Sequence, residues 1–471
     1  ATVQRSPLPQ HNIQLLFRSG SRPDPQGKEG LARLAASMIA EAGSQSMRID
    51  EIEKAFYPMA ASFTADVDKE MTVFTARVHR DNWPAFATIA LPMLTQPGLR
   101  EEDFARLKAR QLNALTQDLR SNNEEELGKE RLQQNIFAGT PYAHPVLGTE
   151  AGLAAITLDD VKTFVREAFV GARLDVGMSG DFPADLEATL SRELSRLPAG
   201  AEAPAAPITG RPQQGISIDI IEKDTRATAI SFGHPIAVTR AHPDFIALNV
   251  ARAWLGEHRS SSSHLFQRIR EVRGMNYGDY AYIEAFPGGM YTLLPEPHVA
   301  RRSQLFEVWI RPVVPENAHM ALRIALWELR ALVERGMTRA DFESTRNYLM
   351  KNVFLLTARQ NHQLGYALDQ KWYGLGDYAS TMREGLAKLT LEDVNRAIRT
   401  HLSGTNLHVV IIAKGAEALK QRLLADAPSS VTYDAPKPQD LVAEDRVIGA
   451  MRLNVAPSAI TVTPVENVFK N

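Results

Sequence analysis

The stretch Gly152-Leu153-Ala154-Ala155-Ile156-Thr157-Leu158-Asp159-Asp160-Val161 returns roughly 235 residues later as Gly385-Leu386-Ala387-Lys388-Leu389-Thr390-Leu391-Glu392-Asp393-Val394. A second echo keeps the same order at nearly the same offset. Gly98-Leu99-Arg100-Glu101-Glu102-Asp103-Phe104 answers to Gly336-Met337-Thr338-Arg339-Ala340-Asp341-Phe342. Two ordered matches make coincidence a poor explanation, so the chain reads as a tandem of two related domains of ordinary size. In both copies of the first motif a threonine, Thr157 or Thr390, sits where a helix N-cap belongs. Its hydroxyl can take a free backbone N–H, and the acidic residues after it face the positive end of the helix dipole.

Outward from these anchors each half carries the same elements. A strand opens the half, Asn12–Phe17 in the first and Ala227–Phe232 in the second. In the first half a helix follows, with Leu31, Leu34, Met38 and Ile39 at helical spacing. Met71–Val78 and Leu305–Ile310 read as the next strands. A long helix runs from Glu101 with Phe104, Leu107, Leu112, Leu115 and Leu119 on one stripe, and Leu407–Ile412 closes the second half as a strand. Strands separated by helical pairs give an α+β fold, two tandem α/β sandwiches with helices against one face of each sheet. Pro198–Pro207 is Pro/Ala-rich and marks the joint. The division is then 1–198, a linker at 199–216, 217–425, and a tail at 426–471. The alternation around Ile460–Thr463 suggests that this tail packs back on the body.

Composition narrows the chemistry. Of 471 residues 44% are hydrophobic and 23% charged, a globular balance. Lys+Arg is 53 against Asp+Glu 55, which argues against a broad nucleic-acid surface. No apolar run is long enough to span a bilayer. There is no cysteine, so any metal site must be built from His and carboxylates, and any nucleophile from Ser, Thr, Lys or a carboxylate. The absent cysteine and the start at Ala1 without Met lead us to expect a processed protein of a bacterial periplasm or envelope, with the cytoplasm as the alternative.

Two short stretches invite a catalytic reading and resist it. Trp254-Leu255-Gly256-Glu257-His258 ends like HxxEH, but Trp cannot ligate a metal and Gly weakens a helix, so a loop is expected. Glu124-Glu125-Glu126 after Asn123 reads as a capped helix start in preference to a cation cluster.

Taken in order, Ser19-Gly20-Ser21 through Gly30-Leu31-Ala32, Pro141-Tyr142 with Gly148-Thr149, and Leu265 through Tyr277 make the tandem resemble the M16 metallopeptidases, the insulinase, pitrilysin and processing-peptidase group. The resemblance covers residues 12 to about 425. It implies a half-clamshell of two domains that encloses a peptide chamber with a second such unit. It also implies a zinc site on the first long helix, an inverted HxxEH in which two His bind zinc and the Glu acts as general base.

The matching stretch is Arg33-Leu34-Ala35-Ala36-Ser37. Arg33 stands in the first His place, Ala36 in the place of the base and Ser37 in the second His place. The third ligand, a Glu, should fall near Ala114, yet no carboxylate lies between Asp103 and Asp118. Arginine stays protonated and repels a metal, and alanine accepts no proton. No cofactor is therefore expected in this chain.

The family's other element is kept. Members of this group hold the substrate backbone with an Arg and, seven residues on, a Tyr, and here these are Arg270 and Tyr277. Leu265, Phe266, Ile269 and Val272 mark a helix, Gly274 a stop after it, and Tyr277 the opening of a strand. A phenol can donate to an oxyanion and a guanidinium can grip a peptide carbonyl. Arg268 and Arg273 make the segment basic. The plainer alternative has Arg270 paired with a carboxylate and Tyr277 half-buried in a strand.

The reading that follows is a subunit without zinc that pairs as a heterodimer with a zinc-bearing M16 homologue and takes a peptide as substrate. The partner would supply zinc and base, and Arg270 and Tyr277 would complete a composite site. A catalytically silent scaffold or peptide-binding protein is the second reading. Peptidase activity in this chain through other ligands is the third, and the scarcity of His/Glu pairs counts against it.

Overall fold

The computed structural model describes residues 1–183, 186–202, 206, 208–433 and 435–471. Part of the expected linker, residues 203–205 and 207, lies outside the described residues, as do 184–185 and position 434 of the tail.

Eleven strands form two sheets among the described residues. The first sheet holds β1 (Thr2–Arg5), β2 (Gln10–Phe17), β3 (Ser62–Val67), β4 (Thr72–His79) and β5 (Leu174–Gly180), in the order β1-β5-β2-β4-β3. The second holds β6 (Ile216–Glu222), β7 (Thr228–Ile236), β8 (Gly278–Tyr282), β9 (Gln304–Val313), β10 (Leu407–Ala413) and β11 (Ile460–Pro464), in the order β11-β6-β10-β7-β9-β8. Without β11 the two orders correspond strand for strand. β1 lies parallel to β5 as β6 does to β10, and every other corresponding pair is antiparallel. The repeat seen in sequence is thus a repeat of topology.

Capping chemistry explains why the repeated motif persists. Thr157 accepts from the Asp160 backbone N–H and Asp160 answers to the Thr157 N–H, and Thr390 and Asp393 form the same reciprocal box. The helices Leu158–Ala168 and Leu391–His401 start there. Each buries an apolar stripe, Val161, Phe164 and Ala168 in the first and Val394, Ala397 and Ile398 in the second.

Helices do not keep to one face of each sheet, as the alternating pattern had suggested. The Glu124–Ile136 helix of the first half packs on β7 and β10 of the second sheet. The Gln360–Trp372 helix of the second half packs on β1, β2 and β5 of the first. A glycine permits each crossing. A Cβ on Gly128 would meet Ser231 at 3.0 Å, and one on Gly177 would meet Leu368 at 3.0 Å and Leu364 at 3.1 Å. The apolar cores follow this exchange, because Ile221, Ala229, Val410 and Ile412 of the second sheet belong to the first half's cluster.

The C-terminal segment joins both halves. β11 adds to β6 in parallel, and Val468 and Phe469 are buried in the first half's core. Arg120 donates to the Val468 carbonyl at 2.7 Å, and the Glu150 N–H to that of Phe469 at 3.0 Å.

The stripe expected on the helix from Glu101 needs one correction. Phe104, Leu107, Leu115 and Leu119 are buried, but Leu112 is exposed. Gln111 takes the buried position, its amide donating to the carbonyls of Gly30 at 2.9 Å and Leu147 at 3.0 Å. From Ala114 to Leu119 the helix loosens into a π-turn.

Candidate functional site

The Leu31–Ala40 helix carries the three positions where zinc chemistry would reside. It starts after Gly30, whose φ of 104° suits a residue without Cβ. Ala36 is fully buried and Ser37 nearly so, packed as core. Arg33 is half-buried and donates to the Ala65 carbonyl of the edge strand β3 at 3.3 Å. Its guanidinium lines a cavity of about 470 Å³ between the halves, with Asp66, Glu130, Glu296, His298 and Arg301 among the walls.

Charges here are poorly compensated. Burial pushes the Asp66 carboxyl above its usual range while Arg33 pulls the other way. Burial likewise raises Glu130, opposed by Lys69, and one of its carboxylate oxygens is buried without a hydrogen-bond partner. Arg301 and Glu296 are the exceptions, the first held by both oxygens of Asp68 at 2.7 and 2.5 Å and the second paired with His362 at 3.0 Å. These residues do not fit zinc. The first ligand position presents a permanent cation, the base position a buried methyl group, and the third, Ala114, a methyl group in place of a carboxylate.

Among the described residues one group brings three candidate ligand atoms within 4.8 Å of one another, namely His242, Asp244 and His401. Its bonds describe an ion-pair knot instead. Asp244 accepts from Arg396 at 3.1 and 2.7 Å and pairs with His401 at 2.8 Å. Hydrogen bonds from Arg396 and His401 pull the carboxyl down to about 2. His242 Nδ1 accepts the Asp244 backbone N–H at 3.0 Å, so the neutral ring keeps its proton on Nε2 and has no lone pair free for an ion.

The HxxEH look-alike is a helix end and not a loop. Trp254, Leu255 and Gly256 form the last turn of Phe245–Gly256. Glu257 is paired with Arg252 at 2.7 Å, and His258 is buried among Tyr280, Tyr282, Phe286 and Trp309. Burial lowers His258 to about 4. Glu124–Glu126 begin a helix capped by Asn123, as expected. They are also spent on cations, with Glu124 on Lys223, Glu125 on Arg311 and Glu126 on Lys129.

Arg270 and Tyr277 come together. The helix opening at His264 passes into a π-turn over Phe266–Glu271, so that Val272 N–H reaches back to the Gln267 carbonyl. Gly274, at φ +67°, ends it. Tyr277 stands one residue before β8, its N–H donating to the Arg311 carbonyl at 3.3 Å. The Arg270 guanidinium lies 5.1 Å from the centroid of the Tyr277 ring and 5.6 Å from that of Phe266, and donates to the Asn276 carbonyl at 2.8 Å. It makes no ion pair among the described residues, and Tyr277 is 59% exposed. A peptide approaching this point meets a guanidinium with donors to spare and a phenol without a protein partner. Neither lines the cavity at Arg33.

Three features escaped sequence reasoning. Arg268 and Arg273 do not add free positive charge, because carboxylates of Glu328, Glu444 and Asp445 consume both. Beneath Arg270, Asn276 donates to buried Asp279 at 2.6 Å, a carboxyl that burial raises well above its usual range. The polar cavity at Arg33 draws on both halves and had no local signature.

Comparison with known proteins agrees with this architecture. Residues 1–150 match the family described as Insulinase (Peptidase family M16), and residues 155–349 the one described as Peptidase M16 inactive domain. A Helicobacter pylori protein named Non-peptidase homolog YmxG is 23% identical over 415 residues, covering 86% of this chain and 89% of that one. An uncharacterized zinc protease of Streptomyces coelicolor is 25% identical over 327 residues, 68% of this chain and 66% of its own. In fold, a peptidase M16 inactive domain from Pseudomonas fluorescens superposes with a TM-score of 0.75 at 21% identity, covering 88% of this chain and 94% of that one. A Helicobacter pylori protease gives 0.73 at 16% identity, with coverages of 87% and 96%.

Proposed function

The chain belongs to peptidase family M16, and from that premise we propose that it is the subunit without zinc of a two-chain peptidase, completing a site whose metal sits in the partner. The observation that carries this reading is the state of the two positions. The ligands and base are gone from the Leu31–Ala40 helix, while Arg270 and Tyr277 are kept side by side with free hydrogen-bonding groups. In such a complex a zinc-bearing M16 homologue activates water. Arg270 grips a carbonyl of the bound peptide, and the Tyr277 hydroxyl donates to the oxygen that gains charge at the scissile carbon.

A silent scaffold or peptide-holding protein is the second reading. Complete loss of the metal residues favours it, as does the name Non-peptidase homolog carried by a relative.

The test is to purify the chain alone and together with an HxxEH homologue, then measure bound zinc and peptide cleavage. The expected result is no stoichiometric zinc alone, and cleavage by the complex that falls on Arg270→Ala and Tyr277→Phe. Stoichiometric zinc in the isolated chain overturns the proposal. Full activity in a complex carrying both substitutions leaves the scaffold reading. Among the described residues no helix is long and apolar enough to cross a membrane. An envelope location is part of the proposal, motivated by the absence of cysteine, and fractionation tests it.

A further inference from the structure

The Arg270 side chain is held lightly, by one backbone carbonyl and two rings. The backbone that carries it is held tightly, mostly by the C-terminal segment. Two residues before Arg270, Arg268 donates to Glu328 at 2.6 Å and also pairs with Glu444. Three residues after it, Arg273 has a side chain with no exposure at all, and donates to Glu444 and to Asp445 at 2.8 Å each. Its remaining terminal nitrogen returns to the Arg268 carbonyl at 2.7 Å. Lys437 donates to the Val272 carbonyl at 2.8 Å, capping the helix end where a cation is favoured.

Glu444 and Asp445 lie on the helix Gln439–Gly449, and Lys437 stands just before it. Asp445 is itself steadied by the Tyr433 hydroxyl at 2.6 Å. All four residues belong to the C-terminal segment. That segment is anchored independently by Arg323, fully buried on the Ala318–Arg335 helix, which donates to the Gly449 carbonyl at 2.6 Å and to Asp426 at 3.0 Å.

We propose that the C-terminal helix Gln439–Gly449 is a brace that sets the geometry of Arg270 and Tyr277, with Glu444, Asp445 and Arg273 as its positioning residues. This rests on reading Arg270 and Tyr277 as the peptide-holding pair. A π-turn leaves its carbonyls offset from the regular ladder and is poorly stabilised by its own hydrogen bonds. Here Arg273 takes the Arg268 carbonyl within the turn and Lys437 the Val272 carbonyl just after it, and the tail's carboxylates hold Arg268 and Arg273 on either side of Arg270. A buried, fully paired arginine such as Arg273 fixes one arrangement, since any shift leaves a desolvated charge unmatched. Hydrogen bonds from Arg268 and Arg273 keep Glu444 ionised against the pull of burial.

The experiment uses the full chain with 3-fluorotyrosine placed at position 277 alone, and the same variants in complex with the zinc-bearing homologue. The double variant Glu444→Gln, Asp445→Asn removes both carboxylates at constant size. It is expected to shift the fluorine resonance in the direction that Arg270→Ala shifts it, and to lower cleavage at least tenfold with the loss in kcat. Asp445→Glu should restore most of both when Glu444 is intact. An unmoved resonance in the folded double variant overturns the brace.

Should the double variant not fold, Lys437→Ala serves, with a smaller shift of the same sign expected and no shift overturning the proposal. The two ideas fail differently. A resonance that moves while Arg270→Ala leaves cleavage intact supports the brace and removes the peptide-holding role. Cleavage lost on Arg270→Ala with the resonance fixed in the double variant removes the brace alone.

Discussion

The Leu31–Ala40 helix and the helix that carries Arg270 occupy the two chemically loaded places of this fold, and they have been treated in opposite ways. On the first, the packing is kept and the chemistry is gone. Ala36 is sealed in the core, and Arg33 and Asp66 share a cavity without a salt bridge. On the second, Arg270 is half-buried and Tyr277 exposed, both with hydrogen-bonding groups to spare, and five side chains in salt bridges hold the backbone between them. The difference teaches that polar groups left free at a surface and buried support beneath them go together here. Where no function needs positioning, the supporting charges are not assembled.

The comparison breaks most easily at Ala36. Placing a carboxylate there by Ala36→Glu buries a charge with no partner and should cost about 4 kcal/mol of stability, read by urea unfolding. A loss below about 1 kcal/mol would mean that the helix still has room for its lost chemistry. Next in size is Tyr277→Phe. In the complex, kcat should fall about 100-fold, as on losing one oxyanion donor, while stability changes by less than about 0.5 kcal/mol, because the exposed phenol has no partner to lose.

Acidification separates the two places by sign. Glu444 titrates below its usual range in the fold, so its contribution is full above the unfolded value and is lost as pH falls through the folded one. Asp66 titrates above its usual range, so its ionisation works against the fold, and that cost is relieved as pH falls from the folded value toward the unfolded one. Urea melts from pH 3 to 7 should therefore show Glu444→Gln flattening the loss of stability in acid. Asp66→Asn should stabilise the chain near neutrality, with the gain vanishing in acid. The smallest effect is expected for Arg33→Ala, within about 1 kcal/mol for one long hydrogen bond, and with no gain of zinc.

What sequence could disclose was local. Thr157 with Asp160 and Thr390 with Asp393 are capping boxes whose partners lie three residues apart, and the repeat is visible because those bonds are. That Arg270 and Tyr277 stand side by side was legible for the same reason, since one short turn joins them. Leu112 misled because hydrophobicity was read where helical phase mattered, and Gln111, polar but satisfied, holds the buried place. The fate of Arg268 and Arg273 was hidden because their carboxylate on the tail, Glu444, is over 170 residues away. The covered second face of each sheet was hidden because its helix comes from the other half.

That exchange of helices has a consequence for how the molecule lives and fails. A first half made alone would bare the β5 face around Gly177 to water and leave the face of Glu124–Ile136 that packs on β7 and β10 uncovered. A second half made alone would mirror the fault. Gene duplication therefore left two copies that are no longer free agents. Each is the other's missing wall, they should melt in a single transition, and during synthesis the early half must wait, incomplete, for the late one.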